Sequence, residues 1–282
     1  MMTMNAKNSA GLLITAAGEK RFLYQAELAA WSFKLSNPDL PICLITDQSF
    51  ESIHFDIIEQ VKWTAHPQKL KIEGMLRSPF KQTLYIDCDS ICAGNIESIF
   101  NRLDSKSIVY THVHDVDWLG EGKFRWKSYS RPFPQGGFLC YQSDECARAF
   151  ISAWKARFDA IPDSSVFPGG DFGDQKQMKI VCADFLASNP EQLAHVPNFI
   201  WNARPWNWGQ LLRDDHFQKV RVFHSYIFSK SSFINHLFRW DTAMQWLPTP
   251  LYSSLLQPIT KHLLLRQVKK LMLIQLRKLE VY

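Results

Sequence analysis

A chain of 282 residues with 46% hydrophobic side chains can bury one large core, which excludes a disordered polypeptide. Its net charge of +5 is uneven: six lysines and arginines against Glu280 fall within residues 253–282, so the rest is close to neutral. A near-neutral body excludes a broad nucleic-acid surface, because neutralising phosphates needs clustered Lys and Arg. The six cysteines form no C-x-x-C pair, which argues against a zinc site and for reduced core thiols.

The first ten residues are polar and lack the basic-then-apolar layout of a signal peptide. No apolar run reaches the ~18 residues of a membrane span, so a cytoplasmic location is the expectation. Residues 11–16 predict a buried strand closed by Ala17-Gly18, and Leu23, Ala26, Ala30, Phe33 and Leu35 predict a helix over 22–35. Residues 42–46 predict a second strand ending at Asp47, which makes a β-α-β unit with parallel strands and a right-handed crossover. A helix is expected over 69–77, then a break at Ser78-Pro79-Phe80 and a short strand over 83–86. Downstream the expectations are a helix over 96–103, a strand over 107–111 and an irregular aromatic stretch over 115–134. A strand over 137–141 and helices over 145–158 and 174–186 follow, then a late strand over 220–223 ending at His224.

Open α/β sheets bind ligands beyond the carboxyl ends of their strands. Asp47, Asp87, Asp89 and His224 all stand directly after apolar, strand-like segments. Two carboxylates one residue apart at a strand end can turn into one pocket, where they offer hard oxygen ligands to Mg²⁺ or Mn²⁺. Such an ion in turn neutralises phosphate charge. A histidine joining them favours Mn²⁺ over Mg²⁺. The D-x-D pattern is short, and a solvated acidic loop is its other reading. The apolar residues on both sides, Leu84-Tyr85-Ile86 and Ile91, favour the site.

The segment Ser78-Pro79-Phe80 followed by Thr83-Leu84-Tyr85-Ile86-Asp87-Cys88-Asp89-Ser90 resembles the metal-binding segment of GT-A-fold nucleotide-diphospho-sugar transferases. The resemblance is to retaining glycosyltransferase family 8, the glycogenin and bacterial lipopolysaccharide galactosyltransferase type, over roughly residues 11–230. It implies an α/β, Rossmann-like fold with a mixed, mainly parallel central sheet flanked by helices. It also implies an enzyme moving a sugar from a UDP-sugar to a glycan or lipid-linked acceptor with retention. By the same resemblance, Asp87, Asp89 and His224 hold Mn²⁺ or Mg²⁺. Ala16, Tyr24, Asp47, Asp87, Gly136, Gly137 and Lys230 contact the donor, and Asp174 and Gln175 stand beside the transferred sugar. Lys71 and Arg77, on the helix before the acidic strand, either reach the nucleotide and its phosphates or face solvent. Asp171 replaces Asp174 if the register shifts by one turn, and helix-start capping is the ordinary role for Asp174. The pattern departs from the family at Gln135-Gly136-Gly137, where an Asn-small-Gly sequence is usual, and at Ile227, where a glycine is usual. No Pro-Trp follows Lys230. Cys88, in the middle of the acidic motif, is expected to pack.

Trp118, Trp126 and Trp206 are candidates for stacking on sugar faces or for packing, and residues 201–208 read as an irregular aromatic loop. Over residues 259–279 a helical wheel puts Leu264, Leu265, Val268, Leu271, Met272, Leu276 and Leu279 on one side. Arg266, Lys269, Lys270 and Arg277 fall on the other. The chain therefore divides, on sequence, into a catalytic domain over 1–250 and a basic amphipathic helix over 251–282. That helix suits an anionic membrane surface, on the inner face of the membrane, or packs on the domain. Two rival readings are a haloacid-dehalogenase-type phosphohydrolase, which also uses D-x-D after a strand, and an inactive nucleotide-sugar binder.

Overall fold

Runs such as Leu12-Leu13-Ile14 and Ile42-Cys43-Leu44-Ile45 are apolar at every position, a pattern that requires burial on both faces of a sheet. A computed structural model describes residues 10–112, 116–118, 124–126, 134–166, 173–204 and 219–224. In chain order these form β1 (Ala10–Ala16), α1 (Lys20–Ser36), β2 (Ile42–Thr46), β3 (Ile57–Gln60), α2 (Pro67–Arg77), β4 (Gln82–Ile86) and β5 (Ser90–Cys92). There follow β6 (Ile108–His112), β7 (Val116–Trp118), β8 (Phe124–Trp126), β9 (Pro134–Gln142), α3 (Glu145–Asp159), α4 (Asp174–Ser188), β10 (Leu193–Val196), α5 (Asn198–Trp201) and β11 (Val222–His224).

Seven strands make one sheet in the order β10-β6-β9-β4-β1-β2-β3. Only β9 runs antiparallel to its neighbours, β4 and β6; the remaining pairs are parallel. Side chains alternate between two buried layers, as the period of two along a strand requires. Leu12, Ile14, Leu84, Ile86, Phe138 and Cys140 enter one layer with Ala26, Ala30 and Phe33 of α1. Leu13, Tyr85, Leu139 and Tyr141 enter the other with Leu70 of α2, Trp154 of α3 and Met178 of α4. The helix starts follow local chemistry. His66 Nδ1 accepts the Gln68 N–H at 3.3 Å ahead of Pro67 in α2, and Asp144 accepts the Ala147 N–H at 2.7 Å to begin α3.

The segment expected as a helix over 96–103 is a 3₁₀ helix, Glu97–Leu103, and the stretch expected as irregular carries the antiparallel pair β7–β8. The strands β3, β5 and β10 and the short α5 were not expected. β5 is three residues long and β10 four, too short for a periodic signal, and β5 finds its partner only in the distant β11. The chain divides into two compact units, Met1–Tyr226 and Ile227–Tyr282, and every described residue belongs to the first. Lys230, Asp171, Trp206 and the helix expected over 251–282 lie outside the described residues, as do the side chains of Trp118 and Trp126. No helix among the described residues is long and apolar enough to cross a membrane.

Candidate metal centre and donor site

The strand order sets where chemistry can gather. β1, β2 and β4 are parallel, so Ala16, Asp47 and Asp87 all lie at one edge of the sheet. β9 runs the other way, so its beginning, Gln135-Gly136-Gly137, lies at that same edge, with Phe138 paired to Ile86. The Asp87 N–H donates to Gly137 O at 3.2 Å, and the Ser90 N–H to Asp87 O at 3.1 Å, which curls Asp87-Cys88-Asp89 into a tight turn. β5 then pairs with β11 so that Ser90 stands opposite His224. That pairing brings a residue 135 positions along the chain to the acidic turn.

Asp87, Asp89 and His224 each present a ligand atom, and these atoms lie within 4.8 Å of one another. His224 Nε2 is 3.1 Å from Asp89 Oδ1 and 3.6 Å from Asp87 Oδ2. Neighbouring ligands of an octahedral Mg²⁺ or Mn²⁺ ion sit about 3 Å apart. Two carboxylate oxygens and an imidazole nitrogen at these separations therefore fit such an ion. The site also depends on the absence of a side chain at Gly137. A Cβ there would stand 2.6 Å from Asp87 Oδ2 and would overlap the His224 ring. At Gly136 it would stand 2.9 Å from Asp174 Oδ2.

The second oxygen of Asp87 is committed elsewhere. Oδ1 accepts from the Tyr85 hydroxyl at 2.8 Å and lies 2.9 Å from Lys71 Nζ. Lys71 also pairs with Asp174 Oδ2 at 2.6 Å, so one buried ammonium bridges two carboxylates from different elements. Burial by itself lowers the Lys71 pKa. The Asp174 and Asp87 charges outweigh it and hold the amine above the usual lysine range, so it stays cationic. Burial, then the Asp87 charge, raises the Tyr85 phenol well above its ordinary value and keeps it a donor. Burial likewise raises Asp89, but the charge and hydrogen bond of His224, followed by the charge of Arg204, override it and hold this carboxyl below the usual range.

No family model matches the sequence, and no curated protein matches it. Solved structures do. The galactosyltransferase LgtC, crystallised with donor and acceptor sugar analogues, aligns with 88% of this chain and 100% of its own at a TM-score of 0.53 and 11% identity. The bifunctional glycosyltransferase WbbM aligns over 87% of this chain at 0.51 and 7% identity. The glycosyltransferase GlyE of Streptococcus pneumoniae TIGR4 aligns over 90% at 0.48 and 12% identity. The chain spans 52% of WbbM and 65% of GlyE. The fold is GT-A.

Within the GT-A frame, Lys71 reaches the site because Gly74, one turn later in α2, lets that helix lie close on β1. A Cβ at Gly74 would meet Thr15 Cγ2 at 2.6 Å. Asp174 opens α4, but the capping position belongs to Gly173, which makes no side-chain capping bond, and the Asp174 carboxylate goes to Lys71. Gln175 follows it, half-buried, in the same first turn. Ala16 is buried at the end of β1, and Tyr24 is 53% exposed on α1. The Asp47 carboxylate accepts the Gly18 N–H at 3.0 and 3.1 Å, holding the β1–α1 turn in the left-handed conformation that Gly18 adopts at φ 82°. Arg77 pairs with Glu59 and Glu73, each at 2.8 Å, on the far end of α2. Cys88 packs beside the α1 layer and its thiol faces Gln25 Oε1 at 3.6 Å. Burial, with the Asp89 and Asp87 charges, raises it well above the thiol range, so it remains a neutral packing group. Sequence reasoning missed Tyr85, Arg204 and Asn202. Arg204 lies within the fields of Asp89, Asp87 and Asp174. Only Asn202, just before the bridge from Ala203 to Phe223, offered a signal: a polar side chain inside an aromatic run, fully buried.

Proposed function

We propose that this chain is a metal-dependent glycosyltransferase that moves a sugar from a nucleotide-diphosphate sugar, a UDP-sugar, to a hydroxyl of a glycan or lipid-linked acceptor. The observation that carries the proposal is the convergence of Asp87, Asp89 and His224 at the carboxyl edge of a GT-A sheet. These three residues would hold Mn²⁺ or Mg²⁺, which when bound supplies positive charge against the leaving diphosphate. Lys71 pairs with both Asp87 and Asp174 and holds their carboxylates at fixed positions, so neither swings into the donor's place. Gly136 and Gly137 let Asp174, Asp87 and His224 close on the β9 backbone beside the donor sugar, and Asp174 with Gln175 orients its hydroxyls. Ala16, Tyr24 and the turn held by Asp47 border the nucleotide, and Lys230 pairs with the diphosphate. The acceptor oxygen bonds to the anomeric carbon as the bond to the diphosphate breaks. The acceptor hydroxyl's proton departs to the diphosphate or solvent, and configuration is retained.

A thermal-shift panel of nucleotide sugars with and without Mn²⁺ tests the reading. Stabilisation by a uridine diphosphate sugar that needs Mn²⁺ is expected, and no Mn²⁺-dependent shift with any nucleoside diphosphate would sink it. Asp89→Ala is expected to abolish both the shift and transfer while leaving circular dichroism unchanged. Full activity in that variant would remove the acidic turn from the mechanism.

A further inference from the structure

Four groups around His224 form a chain whose polarity is fixed at one end. The Gly137 backbone N–H can only donate, and it lies 2.6 Å from the Gln135 side chain, so the atom it meets there is the oxygen Oε1. Asn202 meets the same oxygen at 2.7 Å and must therefore present its amide nitrogen, which also reaches Thr111 Oγ1 at 3.3 Å. The remaining amide atom of Asn202, Oδ1, then faces His224 Nδ1 at 2.9 Å and can only accept. In the ring that ligates an ion the proton accordingly sits on Nδ1, and Nε2, which faces Asp87 and Asp89, is the ligating atom. Asn202 is fully buried, and Gln135 and His224 are nearly so. Water therefore has little access with which to scramble the relay.

We infer that Gln135 and Asn202 are positioning residues that set the tautomer of His224, passing the polarity of the Gly137 amide to the metal-facing nitrogen. The inference rests on the proposed metal centre and deepens it. An acceptor bonded to the non-ligating nitrogen of a metal-bound histidine fixes its ring orientation and raises its basicity, and its loss weakens metal binding by about 10–100-fold. It also gives a physical role to the residue by which this chain departs from the Asn-small-Gly pattern. A glutamine at position 135 folds back on Gly137 and leaves its oxygen shared with Asn202.

The test is Mn²⁺ affinity of the full chain, read by electron paramagnetic resonance, in Asn202→Leu, Gln135→Leu and Gln135→Glu. Asn202→Leu removes the acceptor for Nδ1–H and is expected to weaken Mn²⁺ by about 10–100-fold. Gln135→Leu frees Asn202 to rotate and is expected to weaken it also. Gln135→Glu keeps an oxygen that accepts from both Gly137 and Asn202, and it is expected to stay within a few-fold of the parent. Co²⁺-loaded parent should show an exchangeable, hyperfine-shifted imidazole N–H resonance that shifts and exchanges faster with solvent in Asn202→Leu. Unchanged affinity in Asn202→Leu, or a loss in Gln135→Glu as large as in Gln135→Leu, would overturn the relay. A parent that binds neither cation removes the metal reading instead. The relay is then decided by the ¹⁵N shifts of the His224 ring in metal-free protein: a proton held on Nδ1 supports it, and one on Nε2 alone overturns it.

Discussion

At the scale of single residues, the candidate site is governed by how little space it leaves. A methyl group at position 137 would come within 2.6 Å of Asp87 Oδ2 and into the His224 ring, so Gly137→Ala must push two of the three ligand side chains apart. Overpacking of this kind costs about 1–3 kcal/mol, and each 1.4 kcal/mol falling on the bound state is a factor of ten. Gly137→Ala is therefore expected to weaken Mn²⁺ by about tenfold or more, measured by titration, while the melting midpoint without metal falls only a few degrees. Parent-like affinity would show that the ligands have slack. Lys71 makes the opposite point, since it adds charge where space is already filled. Lys71→Met leaves Asp174, 7% exposed, and Asp87 facing one another without the shared cation. Breaking a buried pair by removing one partner costs about 3–5 kcal/mol. Asp87 is 26% exposed at its side chain, so the loss should fall near the lower figure, about 3 kcal/mol by chemical denaturation. Mn²⁺ should recover part of it by compensating Asp87. A loss under about 0.5 kcal/mol would show that solvent already neutralises the triad.

At the scale of elements, the long apolar strands were legible because each is buried on both faces, and the helices because their breaks carry Pro, Gly or a capping Asp. β1, β2, β4, α1, α2, α3 and α4 all follow that logic. What escaped was built from long-range pairing. β5 and β11 are three residues each and exist as partners of one another across the chain, and β3 is an edge strand whose half-buried residues carry no clean alternation. The site divides the same way. Asp87 and Asp89 in the turn after β4 and His224 at the end of β11 were visible, whereas the hydrogen bonds that orient them pass through Tyr85, Gln135 and Asn202. Those links depend on which strands become neighbours. The buried strands also hold thiols whose protonation follows from burial: Cys43 on β2 is pushed up to about 12 and Cys92 on β5 to about 11. A folded pKa raised above the unfolded value contributes stability that is complete below the unfolded pKa, near 8.5, and is lost as pH climbs toward the folded one. Denaturation midpoints should hold to about pH 8.5 and then fall, by about 1 kcal/mol or more per thiol at pH 10. Cys43→Ala starts less stable for lack of packing but should show a shallower decline over that window. A slope equal to the parent's would remove this thiol from the alkaline loss.

At the scale of the whole molecule, charge and the candidate metal centre are segregated along the chain. The first unit carries the acidic turn, its histidine and the sheet that aligns them, while six of the seven charged residues in 253–282 are basic. A sugar transferase whose acceptor is lipid-linked works at a membrane surface, and a basic, leucine-rich segment is suited to an anionic one. Each Lys or Arg near such a surface contributes about 1 kcal/mol, and the attraction decays within about 10 Å at 0.1 M salt. The full chain is therefore expected to cosediment with vesicles containing anionic lipid, less so as salt rises, and not with purely zwitterionic vesicles. Reversing Lys269 and Lys270 to glutamate turns two attractions into two repulsions, so binding should fall by more than about 30-fold. The Mn²⁺-dependent response to nucleotide sugar should be unchanged, because the acidic turn and its histidine belong to the first unit. Vesicle binding indifferent to both lipid charge and the double reversal would assign the basic segment to packing on the protein itself. Transfer to a soluble glycan would then be the activity to look for first.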